Sequence, residues 1–156
     1  MFRVSQPLAS ANVNFSLKND SQTIVVDFMN NYDIDALLWR NYPGDIFSLH
    51  FENLRGNDLL PVIDVYMNLE DERAPEDKNY VGSMALYGLS DSSANSKAPH
   101  GPGQHRVFDV GQVFRNVSSQ SNWSKKQFSL TLIPYRSLPP NAILTIGLIT
   151  VYFNES

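Results

Sequence analysis

One segment constrains the fold of this chain more than any other, residues 61–88, with the sequence PVIDVYMNLEDERAPEDKNYVGSMALYG. Its first part alternates apolar and polar side chains with the period of two that is typical of a half-exposed β-strand. Its middle is a run of acids broken by Pro75, which favours an exposed turn, and its last part returns to an apolar pattern containing glycine. The segment therefore predicts a strand, a long acidic turn and a returning strand.

The rest of the 156-residue chain repeats this succession of short strands and turns. Further strands are predicted at residues 12–17, 23–29, 47–54, 128–133 and 143–153. The first two of these should form a hairpin around residues 18–21, with the second strand buried on much of both faces. The last two should pair with each other as antiparallel neighbours.

Two short helices and one long loop are also predicted. Residues 33–40 begin with Asp33, whose carboxylate suits a helix N-cap, and residues 110–117 place Val110, Val113, Phe114 and Val117 on one face. Residues 90–105 are rich in Ser and Asn and then in Pro and Gly, which is typical of a loop. Together the elements predict an all-β fold, an antiparallel, jelly-roll-like β-sandwich with one or two short helices.

The composition excludes several classes of partner and chemistry. A net charge of −4 provides no basic surface, so nucleic acid is not expected as a partner. The chain has neither a polybasic tract nor an apolar run long enough to span a bilayer, so a membrane is not expected either. Cysteine is absent, which excludes disulfides, zinc-thiolate sites and cysteine catalysis.

The residue types best suited to a site are the acids of the central turn and the histidines. The acids are Glu70, Asp71, Glu72, Glu76 and Asp77. A calcium site needs regular ligand spacing and a sharp glycine turn, which this run lacks, so a solvated turn is the favoured interpretation. His50 lies on the polar face of its predicted strand, whose core face would hold Phe47, Leu49, Phe51 and Asn53. His100 and His105 could hold copper or zinc, but two ligands on a flexible loop without a third favour surface roles.

No catalytic residue is predicted. The chain contains no G-x-S-x-G motif that would present a serine nucleophile, and no glycine-rich phosphate loop. Most of its aromatic residues fall within predicted strands, where core packing is the default role. The residues by themselves therefore indicate no enzyme.

Two segments carry a sequence signature. PVIDVYMNLEDERAPEDKNYVGS is similar to the pattern K-F-D-V-Y-V-N-x-E-D-D-E followed by F-A-G-S, and FSLTLIPYRSLPPNAILTIGLITVYF to a strand ending V-T-L-V-P followed by V-T-I-G-G-I-x-I-E-F. The matching residues are Asp64, Val65, Tyr66, Asn68, Glu70, Asp71, Gly82, Ser83, Thr131, Leu132, Pro134, Thr145, Ile146 and Gly147. Over residues 47–153 the chain thus resembles the C-terminal domain of polyphenol oxidases, the family of tyrosinases and catechol oxidases, with departures at Ile63 and Leu148.

The resemblance implies a β-sandwich at residues 47–156, with residues 1–46 as N-terminal strands or a linker that leads into it. It also implies a role without catalysis. In that family the domain covers the dinuclear type-3 copper site of a separate catalytic domain, and a loop side chain enters the substrate pocket and keeps the precursor latent. Copper would belong to the catalytic domain of the same precursor, because three histidines are too few for such a site. No cofactor is then expected in this chain.

The loop after the central segment would supply the side chain that plugs the pocket. Tethering gives such a plug an effective concentration of about millimolar, so modest affinity suffices. The candidate plug residues are Tyr87, Leu89, Pro99, His100 and His105. Two alternatives stay open. One is an independent β-sandwich module that binds a protein or carbohydrate through the same loop, and the other is copper loading by His100, His105 and Met84, which the absence of cysteine disfavours.

Overall fold

Nine strands and two α-helices make up the described part of the chain in the computed structural model, residues 5–11, 15–17, 20–40, 42–57, 60–86 and 103–155. The strands are β1 (Ser5–Ala11), β2 (Phe15–Leu17), β3 (Gln22–Phe28), β4 (Ile46–Gly56), β5 (Ile63–Met67), β6 (Tyr80–Met84), β7 (Gln104–Asp109), β8 (Gln127–Pro134) and β9 (Leu144–Asn154). The helices are α1 (Ile34–Arg40) and α2 (Gly111–Val117), and a short 3-10 turn, Asp77–Asn79, precedes β6. No helix of the described residues has the length and apolarity needed to cross a membrane.

The strands form one antiparallel sheet in the order β6-β5-β8-β3-β1-β9-β4-β7, with β2 beside β9. The outermost strands, β6 and β7, approach each other, because Arg106 donates a 3.0 Å hydrogen bond to the carbonyl of Ala85 and the Phe108 ring covers Gly82. A Cβ at position 82 would lie 2.7 Å from that ring, so glycine is required there. The sheet is a nearly closed, barrel-like sandwich, which confirms the predicted all-β fold with two short helices.

Alternate residues of the strands and one face of α2 fill the interior. β4 shows the pattern, with Phe47, Leu49 and Phe51 fully buried. Phe114 of α2 lies at the centre of an aromatic cluster whose other members are Phe28, Phe47, Trp123 and Phe128. The cluster fixes α2 against one end of the barrel.

Most element positions agree with the sequence analysis, although β1 was not predicted. The central segment forms β5, an exposed acidic turn and β6, as predicted. α1 is capped by Asp33, whose Oδ1 accepts a 3.3 Å hydrogen bond from the Ala36 amide. The predicted apolar face of α2 is buried. These successes follow from local patterns, which need no knowledge of the partner strands.

Strand pairing differs from the prediction at both ends of the chain. β2 pairs with β9, whereas β3 pairs with β1 and β8, so the predicted N-terminal hairpin is wrong. The predicted pairing of β8 with β9 is also wrong, because β3 and β1 lie between them. Alternation of side chains sets which face of a strand is buried, but it does not choose the strand beside it. The long connection of residues 135–143 leaves β9 free to cross to the far part of the sheet.

Two local burial predictions are also corrected. Val25 in the middle of β3 is 50% exposed, because only one face of this strand meets the core. In β4, the alternation predicts Asn53 on the core face, but Asn53 adopts a positive φ of 56° and Leu54 takes the fully buried position. The pairing of β4 with β7 shifts register between Phe51 and Leu54, as expected of a β-bulge.

Candidate functional site

The connection between β6 and β7 leaves and returns at one end of the barrel. β6 ends with Met84 opposite Ile63, the first residue of β5, and Ile63 lies opposite Pro134 at the end of β8. β7 begins with Gln104 opposite Leu54, near the end of β4. We call this end, where residues 87–102 are attached, the loop end. The opposite end carries α1, α2 and the acidic turn, and we call it the helix end.

Most of the predicted plug residues fall outside the described part of the chain. Tyr87, Leu89, Pro99 and His100 belong to residues 87–102, which are not among the described residues. His105, by contrast, lies in β7. The predicted loop therefore extends too far, because Gln104 and His105 already belong to the sheet.

Gly103 fixes the point at which the connection returns to the barrel. Its φ is +55°, and a Cβ there would lie 2.8 Å from the carbonyl oxygen of Leu54 and 2.9 Å from Oδ1 of Asn53. Both the left-handed backbone and the close approach require glycine. The Asn53 bulge and Gly103 thus hold the second attachment point of residues 87–102 against the end of β4.

Tyr135 projects from the loop end and was not predicted from the sequence as a site residue. It follows β8 directly, its amide donates a 2.8 Å hydrogen bond to the carbonyl of Val62, and its side chain is 77% exposed. A depression of about 420 Å³ lies beside it, lined by Asp20, Ser21, Ile133, Pro134, Tyr135, Arg136 and Ser137. The only sign of this residue in the sequence was an aromatic residue directly after Pro134, and such a pattern is also typical of an ordinary turn.

His50 and His105 form a pair on the outer face of the barrel that the sequence did not suggest. His50 Nδ1 lies 2.9 Å from His105 Nε2 across the β4–β7 pairing. The Tyr152 ring packs edge-on against His50, with centroids 4.8 Å apart. The predicted partner of His105 was His100, five positions away, and the partner observed is 55 residues away. Met84, the third residue of the copper-loading alternative, is fully buried, so its sulfur does not face solvent.

The pKa of His50 is lowered from the usual histidine value. Burial contributes most, since it penalises the charged imidazolium, and the neighbouring His105 adds a repulsive charge, whereas Glu52 acts in the opposite direction. His50 is therefore held in its neutral form at neutral pH more firmly than an exposed histidine.

This depressed pKa predicts a pH dependence of stability. Below about pH 6.5 the unfolded chain, in which His50 has its ordinary pKa, binds more protons than the folded chain, so the free energy of unfolding should fall as the pH is lowered. His50→Gln should make this fall shallower, because glutamine does not titrate. Urea unfolding in EDTA across this pH range, with both proteins, measures the difference. Equal pH slopes for the two proteins would contradict the expectation.

The signature residues build the frame that carries the loop end. Asp64 of β5 accepts a 2.5 Å hydrogen bond from Ser83 of β6, and Thr131 of β8 is buried, with its hydroxyl 3.0 Å from that of Thr23. Val65 is buried, and the pKa of Tyr66 is raised, first by burial and then by the charge of Asp64. These contacts hold the strands together, so the signature residues have structural roles.

Two further signature residues, Gly147 and Asn68, have structural roles, the first in close packing and the second in a hydrogen-bond network. A Cβ at Gly147 would lie 2.8 Å from the Asn53 side chain, so glycine lets the β4 bulge pack on β9. Asn68 adopts a φ of 50° at the start of the acidic turn, and its carbonyl accepts hydrogen bonds from the side chains of Asn79, Gln120 and Asn122. These bonds join the turn to the segment after α2.

The acidic turn itself lies exposed at the helix end. Its five acids, Glu70, Asp71, Glu72, Glu76 and Asp77, are all exposed. Within the described ranges no group of three or more His, Asp or Glu side chains is arranged to hold a metal ion. Trp39 of α1, which is 90% exposed, lies at the same end, beside a depression lined by Asp35, Leu38, Trp39, Arg115 and Ser118.

Comparison with protein families gives a match over nearly the whole chain. Residues 2–154 match the family described as "Domain of unknown function (DUF7868)". A relative, "Tyrosinase HcTyr1" from Hahella sp. (strain CCB-MM4), is 21% identical over 104 residues, which are 67% of this chain and 22% of the relative. The chain thus corresponds to less than a quarter of that protein.

Solved structures share the fold. Latent apple tyrosinase (MdPPO1) superposes with a TM-score of 0.56 and 16% identity over 90% of this chain and 27% of that protein. Latent aurone synthase (polyphenol oxidase) from a natural source superposes with a TM-score of 0.56 and 15% identity over 90% of this chain and 26% of that protein. At these identities the likeness establishes the fold, and the predicted resemblance to the C-terminal domain of polyphenol oxidases is confirmed at that level.

Proposed function

The chain belongs to the DUF7868 family, and on this premise we propose that it is the shielding domain of a tyrosinase-like polyphenol oxidase. It would do no chemistry itself and would keep the precursor latent by covering the type-3 dinuclear copper site of a separate catalytic domain. One observation carries the proposal. The two signature segments, far apart in the chain, contribute the adjacent strands β5 and β8 to a fold that latent polyphenol oxidases share.

The partner in this proposal is the catalytic domain of the same precursor, which would hold the copper. The similar proteins are about four times as long as the matched part, so they have ample chain for another domain. The β1 and β3 strands lie between β8 and β9, which supports the further proposal that residues 1–46 belong to the sandwich rather than to a linker. A rigid barrel of this kind would orient residues 87–102 toward the partner.

The loop end is the proposed contact surface. A plug for a phenol pocket should present an aromatic or apolar side chain, and Tyr135 offers an exposed phenol beside the attachment points of residues 87–102. The predicted plug residues Tyr87, Leu89, Pro99, His100 and His105 stay candidates. The helix end is about 25 Å away along β4, from Leu54 to Ile46, so its residues should not meet the same partner surface.

The test is phenol oxidation by the activated catalytic domain in the presence of added chain. The wild-type chain should inhibit, and replacing residues 87–102 by a Gly-Ser linker of equal length should weaken inhibition about 30-fold, the effect of losing contacts worth about 2 kcal/mol. Tyr135→Ala should weaken inhibition in the same direction. Thermal unfolding of each variant shows whether the barrel is intact.

Trp39→Ala is the matched control, because it also removes an exposed aromatic side chain but at the helix end. It should inhibit as well as the wild type. If the wild-type chain fails to inhibit at any concentration, the shielding role is wrong. Equal inhibition by the linker variant would instead refute the assignment of the loop end. Binding of a glycan or an unrelated protein through residues 87–102, without inhibition, would favour the alternative of an independent binding module.

A further inference from the structure

The paired imidazoles of His50 and His105 are held by the sheet and are open to solvent. His50 lies in the middle of β4 and His105 near the start of β7, and these strands pair directly. His105 is exposed and His50 is partly exposed, so a hydrated ion can reach both rings. The Tyr152 ring packs against His50 and restrains its orientation. The pair is therefore both positioned and accessible.

The two nitrogens lie as close together as two ligands of one metal ion. Two imidazole nitrogens bound to one metal at about 2.0–2.1 Å lie about 2.9 Å apart at an angle of 90°, and about 3.3–3.4 Å apart at a tetrahedral angle. The observed separation of Nδ1 of His50 and Nε2 of His105 is 2.9 Å. Square-planar and tetragonal geometries, in which neighbouring ligands meet at 90°, are those of Cu²⁺ and Ni²⁺, and Cu²⁺ exceeds both Ni²⁺ and Zn²⁺ in its affinity for nitrogen ligands.

We propose that His50 and His105 form a binding site for a divalent transition metal that prefers tetragonal geometry, Cu²⁺ first and Ni²⁺ second. Imidazole nitrogen suits both ions, and Cu²⁺ binds such ligands more tightly than Ni²⁺. Water molecules would complete the coordination. This arrangement has two protein ligands and differs from the His100–His105 pair considered from the sequence, because it places both ligands on strands.

Binding requires only small changes in the pair. One ring donates a hydrogen bond to the other across the 2.9 Å contact, and the proton of that N–H must move to the remote nitrogen of its own ring so that both facing nitrogens have free lone pairs. The exchange occurs through water and is a change of tautomer, which alters no net charge. A modest rotation about the Cβ–Cγ bonds, which are soft torsions, then aims both lone pairs at one ion.

The experiment uses the full chain, freed of metal by EDTA and dialysed, titrated with CuCl₂ and separately with NiCl₂ by calorimetry. The wild type should bind one Cu²⁺, and its electron paramagnetic resonance spectrum should show coupling to two imidazole nitrogens. His50→Ala and His105→Ala should each weaken Cu²⁺ binding about tenfold or more, because the second ligand of a chelate acts at high effective concentration. Ni²⁺ should show the same dependence with weaker affinity.

His100→Ala is the matched control, since it removes a histidine outside the pair, and it should bind Cu²⁺ like the wild type. His50→Gln and His105→Gln keep polar side chains, and thermal unfolding confirms that they fold. The proposal fails if the double variant His50→Gln/His105→Gln binds Cu²⁺ as tightly as the wild type. It also fails if only His100→Ala loses binding. Neither outcome depends on inhibition of phenol oxidation, so this site and the shielding role are tested separately.

Discussion

Replacing Phe114 by alanine is expected to lower the free energy of unfolding by about 3–5 kcal/mol, the largest effect of any single substitution considered for this chain. Phe114 is fully buried, and its ring centroid lies 5.3 Å from that of Phe128 and 5.9 Å from those of Phe28 and Phe47. Alanine would leave a cavity between α2 and two parts of the sheet that are already fixed by strand pairing. The surroundings can therefore collapse only partly into the space.

Urea unfolding at neutral pH, followed by tryptophan fluorescence, measures this loss. Trp123 packs in the same cluster, with its ring centroid 6.2 Å from that of Phe114, so its emission reports on the cluster directly. Gln112→Ala, on the exposed face of the same helix, is the control and should change stability by no more than about 0.5 kcal/mol. A loss below about 1 kcal/mol for Phe114→Ala would show that α2 does not pack on the sheet as described.

Asn79→Ala should destabilise the chain by about 2–3 kcal/mol, because it removes a buried amide that bridges three segments. The Asn79 side chain is 1% exposed, and its Nδ2 donates to the carbonyls of Met67 and Asn68, at 2.8 and 3.0 Å, and to Oε1 of Gln120 at 2.9 Å. Alanine cannot satisfy these acceptors. The carbonyl of Asn68 retains its bonds from other side chains, whereas the Met67 carbonyl loses its side-chain donor.

The same substitution should loosen the acidic turn from the segment after α2, and amide hydrogen exchange in both segments measures this. Asn116→Ala is the matched control, since Asn116 also donates its side-chain amide to a backbone carbonyl, that of Lys78, at 3.2 Å in an exposed position. Exposed surface changes of this kind cost no more than about 0.5 kcal/mol. Similar losses for the two variants would contradict the role assigned to the buried amide.

Local patterns in the sequence are sufficient for most of the secondary structure. Alternation in 47–54 and 61–69 locates β4 and β5, because a half-buried strand must alternate in any fold. Asp33 marks the start of α1 for a similar reason, since a helix leaves its first amides unpaired and a carboxylate accepts from them. The signature segments predicted the family resemblance, and their residues take part in the packing of the barrel, as Gly82 does beneath Phe108.

What the sequence determined by itself is the all-β class, most of the strands, both helices and the family resemblance, because each rests on neighbouring residues or on short motifs. What only the tertiary structure decided is which strands lie together, and hence which side chains meet. β9 pairs with β1, β2 and β4 rather than with β8, and this arrangement brings Tyr152 to His50. The pairing of β4 with β7 then sets His50 beside His105, 55 residues apart. Periodicity fixes the face that a strand buries, and only packing of the whole sheet fixes its neighbours.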